Sequence, residues 1–488
     1  MKKILLFAAL SASILITSCS KNTVDNGGVI PPPTGGENAN VVTVTGDITA
    51  NTTWTADKIY LLKGNVFVTG NVTLKIEAGT LIKGDKASKG ALIITRGSKI
   101  DAQGTADKPI VFTSNVASGG RAQGDWGGII LLGKAPNNLG ASIAIEGISD
   151  ATDKGKHGGT DAADNSGTMK YVRIEYAGIP LSPDNEINGL TFGSVGSGTT
   201  IDFIEVYRSG DDAYEWFGGT VNAKHLLAID TWDDDFDTDN GFSGKIQFGL
   251  AQRLAATADV SGSNGFESDN NATGVNTTPQ TSAVFSNMTI LGPAEFAKTP
   301  TATPPSVNAN FQHGAQIRRN SSISILNSVI AGYTEGVFYD DGLPENSTAN
   351  SSNNLTAGRS VFANNIVAAS NSKSNQIKAS NTATFNIISP LLNAVNTFSP
   401  TLFAGGIYTD PYKFGSDIAP AARAGIPNFT QISSSPALTG ALFTDNKVTD
   451  AFFDKVAYKG AFGTEDWTSG WANFNPQALP YDVPGAVK

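Results

Sequence analysis

Cysteine is almost missing from this 488-residue chain: Cys19 is the only one, and the histidines number three, His157, His225 and His313. A disulfide framework, a cysteine-rich zinc site and thiol catalysis in the folded part are therefore excluded, and any metal would be held by oxygen. Charge is also scarce, at 16% of residues against roughly 25% in an ordinary globular domain. Lys and Arg total 34 against 44 Asp and Glu, a net charge of −10, and no dense basic stretch exists to follow a phosphate backbone. Nucleic acid is excluded as a partner on that ground. Sustained helical periodicity is missing too, which argues against a helical bundle. What the chain does have is glycine, 53 residues of it, between short β-branched bursts such as VFVTG, VTLKIEAGTLIKG and GGIILLG. Such bursts read as strands joined by tight turns.

The N-terminus carries an address. Lys2 and Lys3 precede an apolar run from Ile4 to Ile16, too short for a stable membrane span, and Ile16-Thr17-Ser18-Cys19 resembles the lipobox of bacterial lipoproteins. The resemblance implies cleavage before Cys19 and lipidation of its thiol. Acyl chains contribute roughly 0.8 kcal/mol per buried CH₂, so several of them anchor a protein to a bilayer without a transmembrane helix. The expected organisation is a signal over 1–18, a Gly- and Pro-rich tether with lipidated Cys19 over 19–40, a β-solenoid over 41–435 and an aromatic-rich closing segment over 436–488.

Self-similarity points to coils. YVRIEYAG (171–178), FIEVYRSG (203–210) and HLLAIDT (225–231) repeat one apolar pattern, and aligning Ile204 with Leu227 gives a 23-residue step. Later repeats, NMTILG, NSVIAG and NNIVA, each begin with Asn, which predicts an asparagine ladder at a turn. A period in the low twenties with three short strands per turn is that of a parallel β-helix with coils about 4.8 Å apart. Open solenoid ends need covers. The region before Leu74, with Trp54 and Tyr60, is expected at one end, and the aromatics of 451–475 at the other.

The stretch 74–114, ending in GTADKPIVFTS, resembles the right-handed parallel β-helix segments of bacterial surface proteins. GDWGGIILLGKAP (124–136), the long run 188–249 and the closing GAFGTEDWTSGWANFNP resemble a family of Bacteroidota-type outer-membrane lipoproteins, some of whose members accompany TonB-dependent receptors. The resemblance implies an all-β fold, a right-handed parallel β-helix with capped ends, at the outer membrane.

The densest chemistry lies at Asp211-Asp212 and in Trp232-Asp233-Asp234-Asp235-Phe236-Asp237-Thr238-Asp239. The 23-residue step would stack Asp211 on Asp234 and Asp212 on Asp235, close enough for like-charge repulsion to demand compensation. Asp211, Asp212, Asp234, Asp235, Asp237 and Asp239 are the candidate cation ligands. Ca²⁺, which takes six to eight oxygens, is the fitting ion, although the loop lacks the glycine position and final Glu of an EF-hand. The alternative is a solvated turn neutralised by Arg208, Lys224 or Lys245. Gly210-Asp211-Asp212 also resembles the paired aspartates of polygalacturonase-type β-helix glycosidases, but their other motifs are missing in order. A lyase would need Ca²⁺ and a base such as Arg318 or Arg319. Trp126, Trp216 and Trp232 are candidate contacts for sugar or partner, although strand-edge packing is the favoured reading of Trp126 and Trp216, and His225 reads as structural.

The leading functional expectation is a lipid-anchored, non-enzymatic binding or accessory subunit at the outer membrane, with an outer-membrane receptor of the TonB-dependent class as the possible partner. A Ca²⁺-dependent polysaccharide lyase or glycoside hydrolase using Asp211, Asp212, Asp234 and Asp235 is the first alternative, with a glycan as partner, and a surface adhesin is the second.

Overall fold

A computed structural model describes residues 40–148, 153–182, 185–293, 307–343, 348–368, 376–402, 404–413 and 425–488. The signal, the tether and Cys19 lie outside these residues.

The β-branched bursts become strands of one 27-stranded parallel sheet that coils on itself. Three ladders run its length, called A, B and C here. Long strands bend to serve two of them: in Thr200–Tyr207, residues 200–202 pair in ladder A with Asn222–Ile229, and residues 204–207 pair in ladder B with the same strand. Ladder C stacks Leu190–Val195, Tyr214–Gly219, Phe236–Asp239 and Phe266–Ser268 in turn. The fold is the expected parallel β-helix. Its interior is one continuous apolar column, from Trp54 and Tyr60, stacked 4.8 Å apart in the first coils, to Ile377.

The step from the coil of Thr200–Tyr207 to the next, however, is 22 residues and not 23, although the coil after it does step by 23. Ile204 pairs with Leu226, Thr200 with Asn222 and Tyr214 with Phe236. The apolar pattern could not fix this register because Leu226 and Leu227 are both fully buried, Leu226 in the column and Leu227 in an outer cluster. A one-residue slip exchanges the two faces of a strand.

The corner between ladders A and B is a column of residues at φ near +55°, among them Tyr171, Phe203, His225 and Phe248, then Asn287, Asn327 and Asn364. The aromatic part stacks at 4.4, 4.1 and 5.2 Å between ring centres. His225 is one of these rungs, held by Asp202 at 2.7 Å, as a structural histidine. The asparagine ladder forms as expected: Asn364 Nδ2 donates to Asn327 Oδ1 at 2.6 Å. Short amide side chains tolerate this left-handed backbone better than branched ones.

The closing segment does not cover an end. The last ladder strand is Thr397–Phe398, earlier than the expected boundary at 435, and the chain then runs back along the flank. Asn287, Asn327 and Asn364 donate to the carbonyls of Tyr458, Leu442 and Gly440. Trp471 packs edge-on against Tyr171 and Phe203, and Tyr481 and Val487 reach Ile59, Leu81 and Val111 in the early coils. The flank needs this cover because it carries buried apolar and charged groups, including Arg173, whose guanidinium meets Tyr481 and the Val487 carbonyl. A helix the sequence pattern did not announce, Thr382–Val395, inserts Ile388 and Leu392 into the column where it ends. Asn381 caps it by accepting from Thr384 N–H.

Candidate functional site

Along ladder C, alternate residues point into the column and out of it. Tyr214, Trp216, Phe236 and Phe266 go in; Glu215, Asp237 and Glu267 go out, and pairing carries Thr191 onto Glu215, Asp237 and Glu267 in succession. The turn preceding these strands adds a second row. Asp234 N–H donates to Asp212 Oδ1 at 2.8 Å, Asn264 N–H to Asp234 Oδ1 at 2.5 Å and His313 N–H to Asn264 Oδ1 at 3.0 Å. The side-chain oxygens of Asp212, Asp234 and Asn264 thus each receive a backbone N–H from the next coil, and Asp212, Asp234, Asn264 and His313 form a continuous column.

The two rows enclose an acidic trough. Carboxylate oxygens gather within 4.8 Å of one another in three triads: Asp211, Asp212 and Asp233; Asp212, Glu215 and Asp237; Asp234, Asp237 and Glu267. The triads share Asp212 and Asp237. At that separation two charges repel by about 3 kcal/mol even with an effective dielectric of ~20. Burial first, and neighbouring carboxylates second, push Asp211, Asp212, Glu215 and Asp237 well above the usual carboxylate range. Asp233 rises to about 6, chiefly through burial, and Asp239 to about 7 through burial and Asp269. The cations expected to neutralise the turn are elsewhere. Lys224 pairs with Asp454, Lys245 with Asp450 and Arg208 with Asp230.

Two other arginines stand at one end. Arg318 contacts Glu267 and, at 2.9 Å, Asp269; Arg319 meets Asp269 at 2.6 Å. The carboxylates hold the Arg318 proton more tightly than usual, so Arg318 is a clamp and not a base. At the other end Glu146 and Glu186 bring further negative charge to Asp211.

The trough also contains a neutral oxygen with no hydrogen-bond partner among the described residues. Asn188 is 2% exposed; its Nδ2 donates to Glu215 Oε2 at 2.5 Å, while its Oδ1 is buried and accepts nothing. A buried carbonyl oxygen beside crowded carboxylates fits a hard cation, which takes such mixed oxygen sets.

Of the candidate ligands, Asp211, Asp212, Asp234 and Asp237 lie in the triads, but the expected pairs do not form: Asp211 stands beside Asp233 and Asp212 beside Asp234, because the step here is 22. Asp235 does not join them: it is fully buried in an ion pair with Arg253 at 3.0 Å and accepts from Tyr333 Oη. Asp239 lies in the adjacent outward row beside Asp269, outside the triads. Glu215, Asp233, Glu267 and Asn188 were missed. The signal for Glu215 and Glu267 was their place in strand-like triplets that repeat around Asp237, readable only with the correct step.

The tryptophans divide. Trp126 and Trp216 are 0% exposed and belong to the column, where Trp126 Nε1 donates to the Glu175 carbonyl and Trp216 stacks on Phe192 and Phe242. They are therefore not ligand contacts: Trp216 lies at an inward position of its strand, and Trp126 turns into the column just before the strand Gly128–Leu132. Trp232 is 40% exposed at the rim, with its indole donating to Asp259.

No curated protein matches the chain. A crystal structure of the Dettilon tailspike protein (gp208) is similar over 68% of this chain and 62% of its own, less than two thirds of that protein, at 11% identity and a TM-score of 0.24. The family described as the pectate-lyase-like beta-helix domain matches residues 46–402, most of the coiled region. The chain belongs to that pectate-lyase-like β-helix family.

Proposed function

We propose that this protein is a lipid-anchored, surface-binding β-helix of the outer membrane whose acidic trough takes up divalent cations, Ca²⁺ foremost, and through them a glycan. The observation that carries the reading is the set of three carboxylate triads joined through Asp212 and Asp237, with the unpaired Asn188 Oδ1 beside them. Oxygen-only donors in this number suit Ca²⁺, whose coordination is large and adaptable. A cation held there keeps open positions for sugar hydroxyls or carboxylates. Trp232 at the rim offers an aromatic face to a sugar ring. The basic n-region and the Ile16-Thr17-Ser18-Cys19 sequence support the anchor, and the resemblance to receptor-associated lipoproteins supports an accessory role beside a TonB-dependent receptor.

The test is calorimetric titration of the mature protein with CaCl₂, then of acidic and neutral oligosaccharides with Ca²⁺ or EGTA. Cation uptake and cation-dependent glycan binding, both lost in Asp212→Asn and Asp237→Asn, are expected. Glycan binding unaffected by EGTA would overturn the role given to the trough. Mass spectrometry of membrane-extracted protein reads the lipid on Cys19 directly.

A depolymerase is the second reading, favoured by carboxylates that retain protons near neutral pH, as a general acid must. It requires new reducing ends or unsaturated products from a bound glycan, and those products would replace the binding role with a catalytic one.

A further inference from the structure

Away from the trough, the outward positions of ladder B form a single row along the column. Val41 pairs with Ile59, Ile59 with Leu81 and Leu81 with Val111 in the first coils. The row continues through Arg173 and Glu205 to Leu227. The last residues of the closing segment, 473–488, lie over its early part.

The first coil has the most need of that cover. Each coil of a solenoid is held by its neighbours, and a terminal coil has one. Among the described residues Val41–Ile48 pairs only with Ile59–Val68, and Thr52–Trp54 only with Thr73–Ile76. Of the eight residues of Val41–Ile48, Ile48 is the buried one.

The tail ties this coil to those beyond it. Tyr481 and Val487 form one apolar cluster with Ile59, Leu81 and Val111, and Val41 packs against it. Polar contacts fix the tail to the next two coils. Arg173 donates to Tyr481 Oη at 3.1 Å and to the Val487 carbonyl, Tyr481 Oη donates to Glu175 Oε1 at 2.8 Å, and Asn473 N–H donates to Glu205 Oε2 at 2.8 Å. Arg121, itself buried, donates to the carbonyls of Pro476, Leu479 and Pro480 at 2.9–3.1 Å, and its guanidinium lies over the Tyr481 ring.

With three prolines and no strand, the tail adds no rung to the column; side chains of the coils hold its backbone. Seating it also takes Arg173 and Glu175 out of water, which offsets part of what the apolar contacts contribute. A segment held in this way can lift while every ladder stays paired.

We infer that residues 473–488 are a latch. Seated, they lock the first coil to the column; lifted, they let that coil open as a separate unit while the later coils stay formed. No residue of the trough takes part, so the latch stands apart from the cation reading.

The experiment is hydrogen exchange read by mass spectrometry on the mature protein and on tail variants. Tyr481→Ala should speed exchange at least tenfold in Val41–Ile48 and at Ile59–Leu62, and leave Tyr214–Gly219 and Lys245–Gln252 unchanged. Tyr481→Phe keeps the ring on the cluster but removes the hydroxyl shared by Arg173 and Glu175, so a smaller acceleration in the same two strands is expected, readable even where Tyr481→Ala does not fold. Val483→Ala, at an exposed position of the same tail, should change nothing. First-coil protection unchanged in the Tyr481 variants, or exchange quickened equally in every coil, would overturn the latch.

Discussion

The backbone N–H of Asp234 donates to Asp212 Oδ1 at 2.8 Å, so a carboxylate of one coil is spent holding the next coil in place. The same contact sets two acidic turns directly over one another, and the outward residues of ladder C then bring Glu215 and Asp237 into the same space. Structural support and charge crowding come from a single register. That register makes the trough's behaviour testable.

Removing one shared carboxylate should separate fold from ion. Asp237→Asn relieves repulsion with Asp212, Glu215, Asp234 and Glu267, so the cation-free protein is expected to gain roughly 1–3 kcal/mol. It should also lose most of its calcium-dependent rise in melting temperature. Paired thermal scans in EGTA and in CaCl₂ read both effects.

Asp235→Asn should do the opposite. It leaves Arg253 buried without its carboxylate, which costs about 3–5 kcal/mol, yet it removes no member of a triad. Denaturant unfolding should show the loss while calorimetry shows calcium uptake at unchanged stoichiometry.

The trough should also make cation-free stability fall with rising pH. Asp233 and Asp239 bind protons more tightly folded than unfolded, titrating at about 6 and about 7 against 3.8. Their stabilising contribution is full below pH 4 and is lost as pH climbs through 6 and 7. Melting temperatures in EGTA are expected to drop between pH 5 and 8, and the shift produced by calcium to grow over the same interval.

His157 carries the reverse dependence. Its folded value of about 4, against 6.5 unfolded, means the unfolded chain takes up the proton first. Stability from the neutral ring is complete above pH 6.5 and declines by up to about 3 kcal/mol as pH falls to 4. Urea unfolding of the wild type and of His157→Asn from pH 7.5 to 4.5 should give a steeper pH slope for the wild type.

Much of this molecule could be read from its letters. Bursts such as ALII and GIILL, bounded by glycine, are strands of a column buried on the inside, and the Asn that opens NMTILG, NSVIAG and NNIVA takes the tight corner because its short amide tolerates φ near +55°. Aspartate density around 211 and 234 located the trough. His225 was legible as a structural residue and not as a ligand, while the ring stack it joins was not.

Other features depended on contacts far apart in the chain. The closing aromatics look the same in sequence whether they cover an end or a flank; Trp471 lies on the flank because Tyr171, Phe203 and the buried Arg173 there need cover. Trp216 and Trp232 both follow or precede acids, but one alternation places the first inside and the turn leaves the second at the rim. By itself the sequence determined a coiled parallel β-sheet with an acidic turn, because strand-forming and corner-forming preferences are local. The tertiary structure decided which carboxylates face one another: a coil step of 22 or 23 buries either Leu226 or Leu227 equally well, and only the packed column distinguishes them.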